Sequence, residues 1–264
     1  MAGESAERSL TKLFSHGADV YERHWAPRLR VLAQPLIDRL PLREARVVVD
    51  VGAGTGTLAR VLIDAAAGAT VVGVDLVEDM LRRAPSAMRR AVMDATALGL
   101  RTEATDVVVC AFVLFFVPDP VAALREMRRV LRVGGSLGVA VWSDEPDYPA
   151  GDVWNEEVNA AGAPQVPALR HDLVDGADRV RAAVEQAAFE VVDVWRVRHR
   201  IPQGAAMFIE MMSNFGGKRR LDLLDANARA ACLQRISARL RELSAEDFVD
   251  PSEVAYVVAR KSER

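Results

Sequence analysis

Seven residues, Asp50-Val51-Gly52-Ala53-Gly54-Thr55-Gly56, place glycine at every second position directly after an apolar run. Side chains there would fill the space a ligand needs. Gly52 and Gly54 let the main chain approach a ligand closely and adopt φ angles that other residues avoid. The unpaired N–H groups of a helix opening at about Thr55 would point into the same space. A binding crevice is therefore expected here. Asp75 closes the next apolar run, Thr70-Val71-Val72-Gly73-Val74-Asp75. Its carboxylate should emerge beside the glycine turn, where it can accept hydrogen bonds from both hydroxyls of a ribose. A tight turn and a surface acid are each ordinary, but their joint placement at the ends of consecutive strands asks for a ligand.

A dinucleotide fold puts an acid in the same place, so the spacing of the glycines decides between cofactors. The dinucleotide fingerprint wants its third glycine at position 57, which is Thr57 here. An NAD-linked oxidoreductase survives only if that spacing misleads. With no diphosphate to cradle, the loop suits the amino-acid portion of a ligand. Asp50 is then placed to orient the ammonium group, directly or through water, and S-adenosylmethionine fits this description.

From Asp50 to Gly56 the chain resembles the first motif of class I S-adenosylmethionine-dependent methyltransferases. Val74-Asp75-Leu76-Val77-Glu78-Asp79-Met80-Leu81 is similar to their second motif and Met93-Asp94-Ala95 to their third. The likeness spans residues 45–142. Phe112-Val113-Leu114-Phe115-Phe116-Val117-Pro118-Asp119-Pro120 and the Gly134-Gly135 turn resemble the subfamily that includes ubiquinone and menaquinone methyltransferases and natural-product tailoring enzymes. Phe14, Ala18 and Tyr21 are similar to its N-terminal lid motif. The resemblance implies that Asp94 and Ala95 meet the adenine, Asp94 through the amino group, and that Leu76 and Met80 pack on the ring. It also implies that Cys110, Ala111 and Phe112 sit beside the methionine portion and that Tyr21 approaches the cofactor. With Asp50, Gly52, Ala53, Gly54, Gly56 and Asp75 these form the expected cofactor set, with S-adenosylhomocysteine as product.

In-line methyl transfer from a sulfonium can be accelerated by alignment and exclusion of water without a covalent step. No general base is evident. His16 and His24 flank Tyr21, and His16 and Tyr21 are the weak catalytic candidates; His171 falls in a loop and His199 on a strand face beside Trp195. Some relatives carry histidine where this chain has Phe115 or Phe116, and the apolar residues favour a hydrophobic acceptor. The expected activity is methyl transfer to a small, lipophilic molecule, in natural-product biosynthesis. The alternative is a methyltransferase-like protein that binds the cofactor while steering a cyclisation, or acts without methyl transfer.

The elements needed to position these groups follow from periodicity. Val47–Val51 and Thr70–Asp75 are short apolar runs, as in strands buried on both faces, and Met88–Met93, Asp106–Ala111 and Ser136–Trp142 read as further strands. Helical patterns at 55–67, 78–83 and 120–131 separate most of them, which predicts a doubly wound, mostly parallel, seven-stranded α/β sheet of Rossmann-like type. An amphipathic helix over Leu29–Leu40 belongs to an N-terminal helical lid, residues 1–41, and the methyltransferase domain covers 42–264. Cap segments are expected at about 143–175 and 204–246, before the last strand, Val254–Ala259. A helix is expected over Gly176–Ala188. Residues 191–201 alternate apolar positions with Arg196, Arg198 and Arg200, the period of a half-exposed strand near a sheet edge. Phe208, Met211, Met212 and Phe215 at helical spacing divide almost evenly between core and pocket lining.

Composition sets the outer bounds. The 264 residues carry a net charge of −3 with scattered basic residues, so no broad positive field exists for nucleic acid or an anionic membrane surface. Cys110 and Cys232 are too few for a disulfide framework and have no partners at metal-ligand spacing, so no metal is expected. The first fifteen residues alternate charged and apolar positions without the apolar stretch of a signal peptide or membrane span, which predicts a cytoplasmic protein. The expected partner is a small-molecule substrate, and a homodimer is left open.

Overall fold

The fold is taken from a computed structural model, which describes residues 2–144, 146–166 and 172–263. His171 lies outside the described residues. Seven strands form one sheet: β1 (Val47–Val51), β2 (Thr70–Asp75), β3 (Arg89–Val92), β4 (Thr105–Ala111), β5 (Leu131–Asp144), β6 (Glu190–Arg198) and β7 (Glu253–Arg260). Their order is β3-β2-β1-β4-β5-β7-β6. Only β7 runs against its neighbours. The strand order reverses between β1 and β4, and the crevice beyond the carboxyl ends at such a switch point is where α/β sheets bind ligands.

The apolar runs become strands because both faces are covered: Val48, Val49, Val108, Val109, Leu137 and Val139 are inaccessible to solvent. Flanking them are α3 (Ala59–Ala65), α4 (Glu78–Leu81), α5 (Pro120–Val130) and α7 (Ala177–Gln186). Asp119 caps α5 by accepting from the Ala122 N–H at 2.9 Å, and Pro120 supplies the preset φ of a first helical residue. α3 starts at Ala59, four residues after the expected Thr55, because Gly52, Gly54 and Gly56 all have φ between +55° and +76° and hold the chain out of helix until the loop is complete.

The N-terminal segment is one long helical arm. α1 (Ala2–Val20) runs into a widened π-turn, Tyr21–Trp25, closed by Ala26 N–H donating to Tyr21 O, and continues as α2 (Ala26–Ile37). The expected helix over Leu29–Leu40 is its last part, and the arm ends before Pro41. Leu32 and Leu36 pack in the same core as the sheet, and a Cβ on Gly138 of β5 would lie 2.8 Å from Leu40 Cδ1. Glycine in β5 is what lets the arm lie so close.

Tyr256 of β7 fastens the arm. Its hydroxyl donates to Leu32 O at 2.6 Å and accepts from His199 Nε2 at 3.0 Å, and its ring stacks on Trp195 with centroids 5.0 Å apart. Burial, then the nearby Arg28 charge, lowers the His199 pKa, which suits a neutral imidazole donating from Nε2. Tyr256→Phe should destabilise the protein by about 1 to 3 kcal/mol, since a buried carbonyl and a half-buried imidazole lose their common partner. A urea midpoint lowered at constant slope would report it, and an unchanged midpoint would remove Tyr256 from this role.

The cap consists of α6 (Pro149–Ala160), α8 (Ala205–Met211), a second π-turn (Met212–Gly216), α9 (Lys218–Leu221) and α10 (Ala226–Leu240). α6 was not expected, because Pro146 and Pro149 read as turn residues; Pro149 is in fact the first residue of the helix, where proline costs nothing. Trp154, Phe208, Ile236 and Leu240 give the cap its own apolar cluster. Arg196, Arg198 and Arg200 stand on the exposed side of the edge strand and its continuation, in ion pairs with Glu253, Asp144 and Glu246. No helix among the described residues is long and apolar enough to cross a membrane, and no group of metal-ligating side chains occurs among them.

Candidate functional site

The carboxyl ends of β1 and β4 meet at a crevice of about 270 Å³, open solvent included, lined by Tyr21, Leu29, Asp50, Gly52, Ala53, Thr57, Leu58, Ala111 and Phe112. The glycine turn forms its floor. Gly52 and Ala53 N–H both donate to Val74 O, at 2.7 and 3.0 Å, and Gly56 N–H donates to Ala53 O, so the turn is bolted to β2. The helix expected to open at Thr55 begins only at Ala59, and these N–H groups of the turn are engaged within the protein.

Asp75 takes the next of them. Its Oδ2 accepts from Gly54 N–H and its Oδ1 from Val77 N–H, each at 2.8 Å. Burial raises its pKa and the backbone donors oppose that rise. Leu76 N–H also acts on the carboxylate, so Asp75 braces the turn while keeping acceptor capacity for a ligand hydroxyl. Asp50, at the end of β1, is 2% exposed and its Oδ2 has no hydrogen-bond partner. Burial first, and the Asp75 charge second, push its pKa from 3.8 to about 7. A buried carboxylate oxygen without a donor is costly, and a cationic ammonium group supplied by a ligand would satisfy it. On this observation the residues present fit the amino-acid end of S-adenosylmethionine.

Tyr21 closes the crevice from above. It is half-buried, its hydroxyl lies 3.5 Å from Thr57 Oγ1, and a Cβ on Gly54 would come within 3.6 Å of its oxygen. Desolvation, partly offset by the bond to Thr57, drives its pKa up to about 12. The phenol therefore stays protonated at neutral pH and acts as a hydrogen-bonding group, which withdraws it as a base. His16 is also withdrawn: it is exposed, and its Nδ1 is engaged with Lys12 O at 2.8 Å. Cys110 is fully buried with its thiol pushed up to about 12 by desolvation, so it offers no thiolate.

The remaining expected residues divide. Ala111 and Phe112 line the crevice, and Phe112 holds φ at +62°, an unusual conformation for a bulky residue that is often stored at functional sites. Met80 is buried against Ala18 and Val77 under the arm, whereas Leu76 is 40% exposed. Asp94 lies at an exposed bend beyond β3, where its Oδ1 accepts from Thr96 N–H and Oγ1–H, and Ala95 follows it half-buried.

Sequence reasoning missed how the two π-turns meet. Phe215, on the cap's π-turn, packs within 6.2 Å of Tyr21 and 6.5 Å of Trp25 on the arm's π-turn, and within 5.8 Å of Phe14, ring centroid to centroid. Gly17 is the complement: a Cβ there would lie 2.6 Å from Phe215 Cζ. Phe208 goes instead to the cap core beside Trp154, so the aromatic and Met set is split between the two roles. Glu210 latches the same contact by accepting from Arg23 at 2.6 Å and pairing with His24 Nε2 at 2.7 Å. The helical spacing of Gly17 and Tyr21 was the available signal, but nothing in it announced a π-turn.

Comparison with known proteins agrees with this geometry. Residues 49–139 match the model of a family described as a methyltransferase domain. A malonyl-acyl-carrier protein O-methyltransferase of Geobacter sulfurreducens is 32% identical over 202 residues, which cover 71% of this chain and 72% of that protein. A trans-aconitate 2-methyltransferase of Variovorax paradoxus is 29% identical over 234 residues, 84% of this chain and 87% of that one. Among solved structures, a SAM-dependent methyltransferase from Thermotoga maritima has the same fold, with a TM-score of 0.57 over 95% of this chain and 99% of that chain at 20% identity.

Proposed function

The chain belongs to the class I S-adenosylmethionine-dependent methyltransferases, and from that premise we propose that its acceptor is a small, lipophilic molecule of natural-product metabolism. The cofactor, when bound, supplies an electrophilic methyl group carried on a sulfonium. Asp75 is assigned the two ribose hydroxyls and Asp50 the ammonium, across the turn made by Gly52, Ala53, Gly54 and Gly56. Leu76, Met80, Asp94 and Ala95 are assigned the adenine, and Cys110, Ala111, Phe112 and Tyr21 the methionine side. The observation that carries this assignment is the pair of carboxylates flanking one glycine turn, Asp75 half-buried and Asp50 buried with an orphaned oxygen.

A lipophilic acceptor is supported by the roof of the crevice, where Phe14, Tyr21, Trp25, Phe116 and Phe215 pack ring to ring. With Tyr21 held protonated, the chain's own contribution is to orient the acceptor and exclude water, which suits a carbon, nitrogen or already ionised oxygen acceptor.

Calorimetry tests the cofactor assignment: heat is expected with S-adenosylhomocysteine and none with NAD. Asp75→Ala removes charge-assisted hydrogen bonds worth about 1.5 to 3 kcal/mol, a roughly ten- to hundredfold loss of affinity. Unchanged affinity in a folded variant would refute the role of Asp75. Incubation with methyl-labelled cofactor and an extract of small molecules should move label into the organic-soluble fraction; label retained by the cofactor would refute methyl transfer to such an acceptor.

A further inference from the structure

Among the described residues three buried side-chain polar atoms have no hydrogen-bond partner: Asp50 Oδ2, Trp25 Nε1 and Arg28 Nε. The first belongs to the crevice. The other two are both donors and stand three residues apart on the arm, one turn and two turns beyond Tyr21. Arg28 Cζ lies 5.0 Å from the centroid of the Trp25 ring and 5.9 Å from that of Trp142. Trp142 in turn packs on Phe112, a crevice-lining residue, with centroids 4.9 Å apart. The two donors thus adjoin a run of aromatic side chains that continues from Phe112 of the crevice lining.

The Arg28 side chain is only 8% exposed, and its terminal nitrogen is paired with Asp250. The other oxygen of Asp250 accepts from Ser252 N–H and Oγ–H. Both oxygens of Asp250 are therefore engaged, and the guanidinium has been neutralised without its Nε being used. Burying a donor without an acceptor costs stability, and here two such donors stand close together. A bound molecule that brings an acceptor atom removes the cost.

Charge selects the kind of acceptor atom. Because Arg28 and Asp250 already cancel, a carboxylate placed here would add an uncompensated buried charge next to Asp250, which is strongly unfavourable. A carbonyl oxygen brings two lone pairs and no charge, and a flat unsaturated body attached to it suits the faces of Trp25, Trp142 and Phe112. We propose that Trp25 Nε1–H and Arg28 Nε–H form a recognition site for a carbonyl oxygen of the methyl acceptor, which makes the substrate class a neutral carbonyl compound such as a ketone, quinone, ester or amide. This rests on the methyl-transfer reading above, which it deepens by naming the acceptor's polar handle.

The test uses the full chain saturated with S-adenosylhomocysteine and three matched probes: acetophenone, ethylbenzene and benzoate. The four tryptophan indole N–H signals, assigned by triple-resonance NMR, are followed during titration. Acetophenone should shift the Trp25 indole signal saturably and bind about tenfold more tightly than ethylbenzene, the worth of one to two hydrogen bonds. Benzoate should bind no better than ethylbenzene. Trp25→Phe and Arg28→Lys each remove one donor, the second keeping a cation opposite Asp250. Either variant that folds should lose severalfold affinity for acetophenone and none for ethylbenzene. A preference for benzoate, equal binding of all three probes, or an unmoved Trp25 signal overturns the inference. Calorimetry of S-adenosylhomocysteine on the same sample separates the failures: no cofactor binding overturns the parent reading and this one with it, whereas intact cofactor binding with an indifferent Trp25 overturns this one alone.

Discussion

Gly52→Ala should lower the stability of the protein by about 3 to 5 kcal/mol, or about 10 °C in Tm, while Gly54→Ala, two residues on, should cost only about 1 kcal/mol. Both glycines have positive φ, +74° and +55°, so both alanines bear a left-handed backbone. The difference is what a methyl group meets. At Gly52 a Cβ would lie 2.1 Å from Val113 Cγ2, 2.6 Å from Cγ1 and 2.8 Å from Cβ, and a β-branched side chain has little freedom to turn away. At Gly54 the nearest atoms are Met80 Cε and Tyr21 Oη, both at 3.6 Å, which is ordinary contact. Gly54→Ala should therefore fold and show its effect in cofactor affinity, because its methyl group stands between the turn and Tyr21. Val113→Ala in the Gly52→Ala background should recover part of the loss through removal of the two closest contacts, a coupling measurable in a double-mutant cycle. A Gly52→Ala protein as stable as wild type would mean that the turn is not packed against Val113.

The difference between these two glycines was not legible in the sequence, where they are equivalent members of one motif. What the sequence shows well is anything determined by local pattern: the two apolar runs that become β1 and β2 have the expected bounds, Val47–Val51 and Thr70–Asp75. The edge position of β6 followed from alternating arginines, and those arginines are indeed on a solvated face in ion pairs. Features decided by distant contacts were not readable. That the turn's N–H groups are claimed by Val74 O and Asp75, about twenty residues away, is one of these. Pro149 reads as a breaker until its place at the start of α6 is known. Gly134 and Gly135, expected as a turn before a strand, lie inside β5, because Gly134 N–H is taken by the carbonyl of Lys261, the residue just past the end of β7.

The same dependence on distant partners makes Asp50 the residue whose ionisation governs the site. A buried carboxyl beside Asp75, with its pKa raised from 3.8 to about 7, affects stability with a defined sign. Below about pH 4 it is protonated in both the folded and the unfolded chain and contributes nothing. Between about pH 4 and 7 the unfolded chain releases the proton and the folded chain keeps it, so stability falls by about 1.4 kcal/mol per pH unit. Above pH 7 the full cost is present, on the order of 4 kcal/mol. Asp50→Asn keeps the shape and abolishes the titration. Without ligand, the variant should match wild type in urea at pH 4 and exceed it increasingly up to pH 8. Taking the difference between the two proteins cancels carboxylates such as Glu157 and Glu210, whose lowered pKa values give the opposite slope. Cofactor binding should invert the ranking. If Asp50 receives the ammonium group, wild-type affinity rises as pH passes through 7, and the more stable Asp50→Asn protein binds at least tenfold more weakly, with that pH dependence gone. A wild-type stability difference that does not vary with pH would show that Asp50 is not desolvated, and equal cofactor affinities would show that its orphaned oxygen faces no cation. Either result is readable without knowing the methyl acceptor, because both measurements stop at binding.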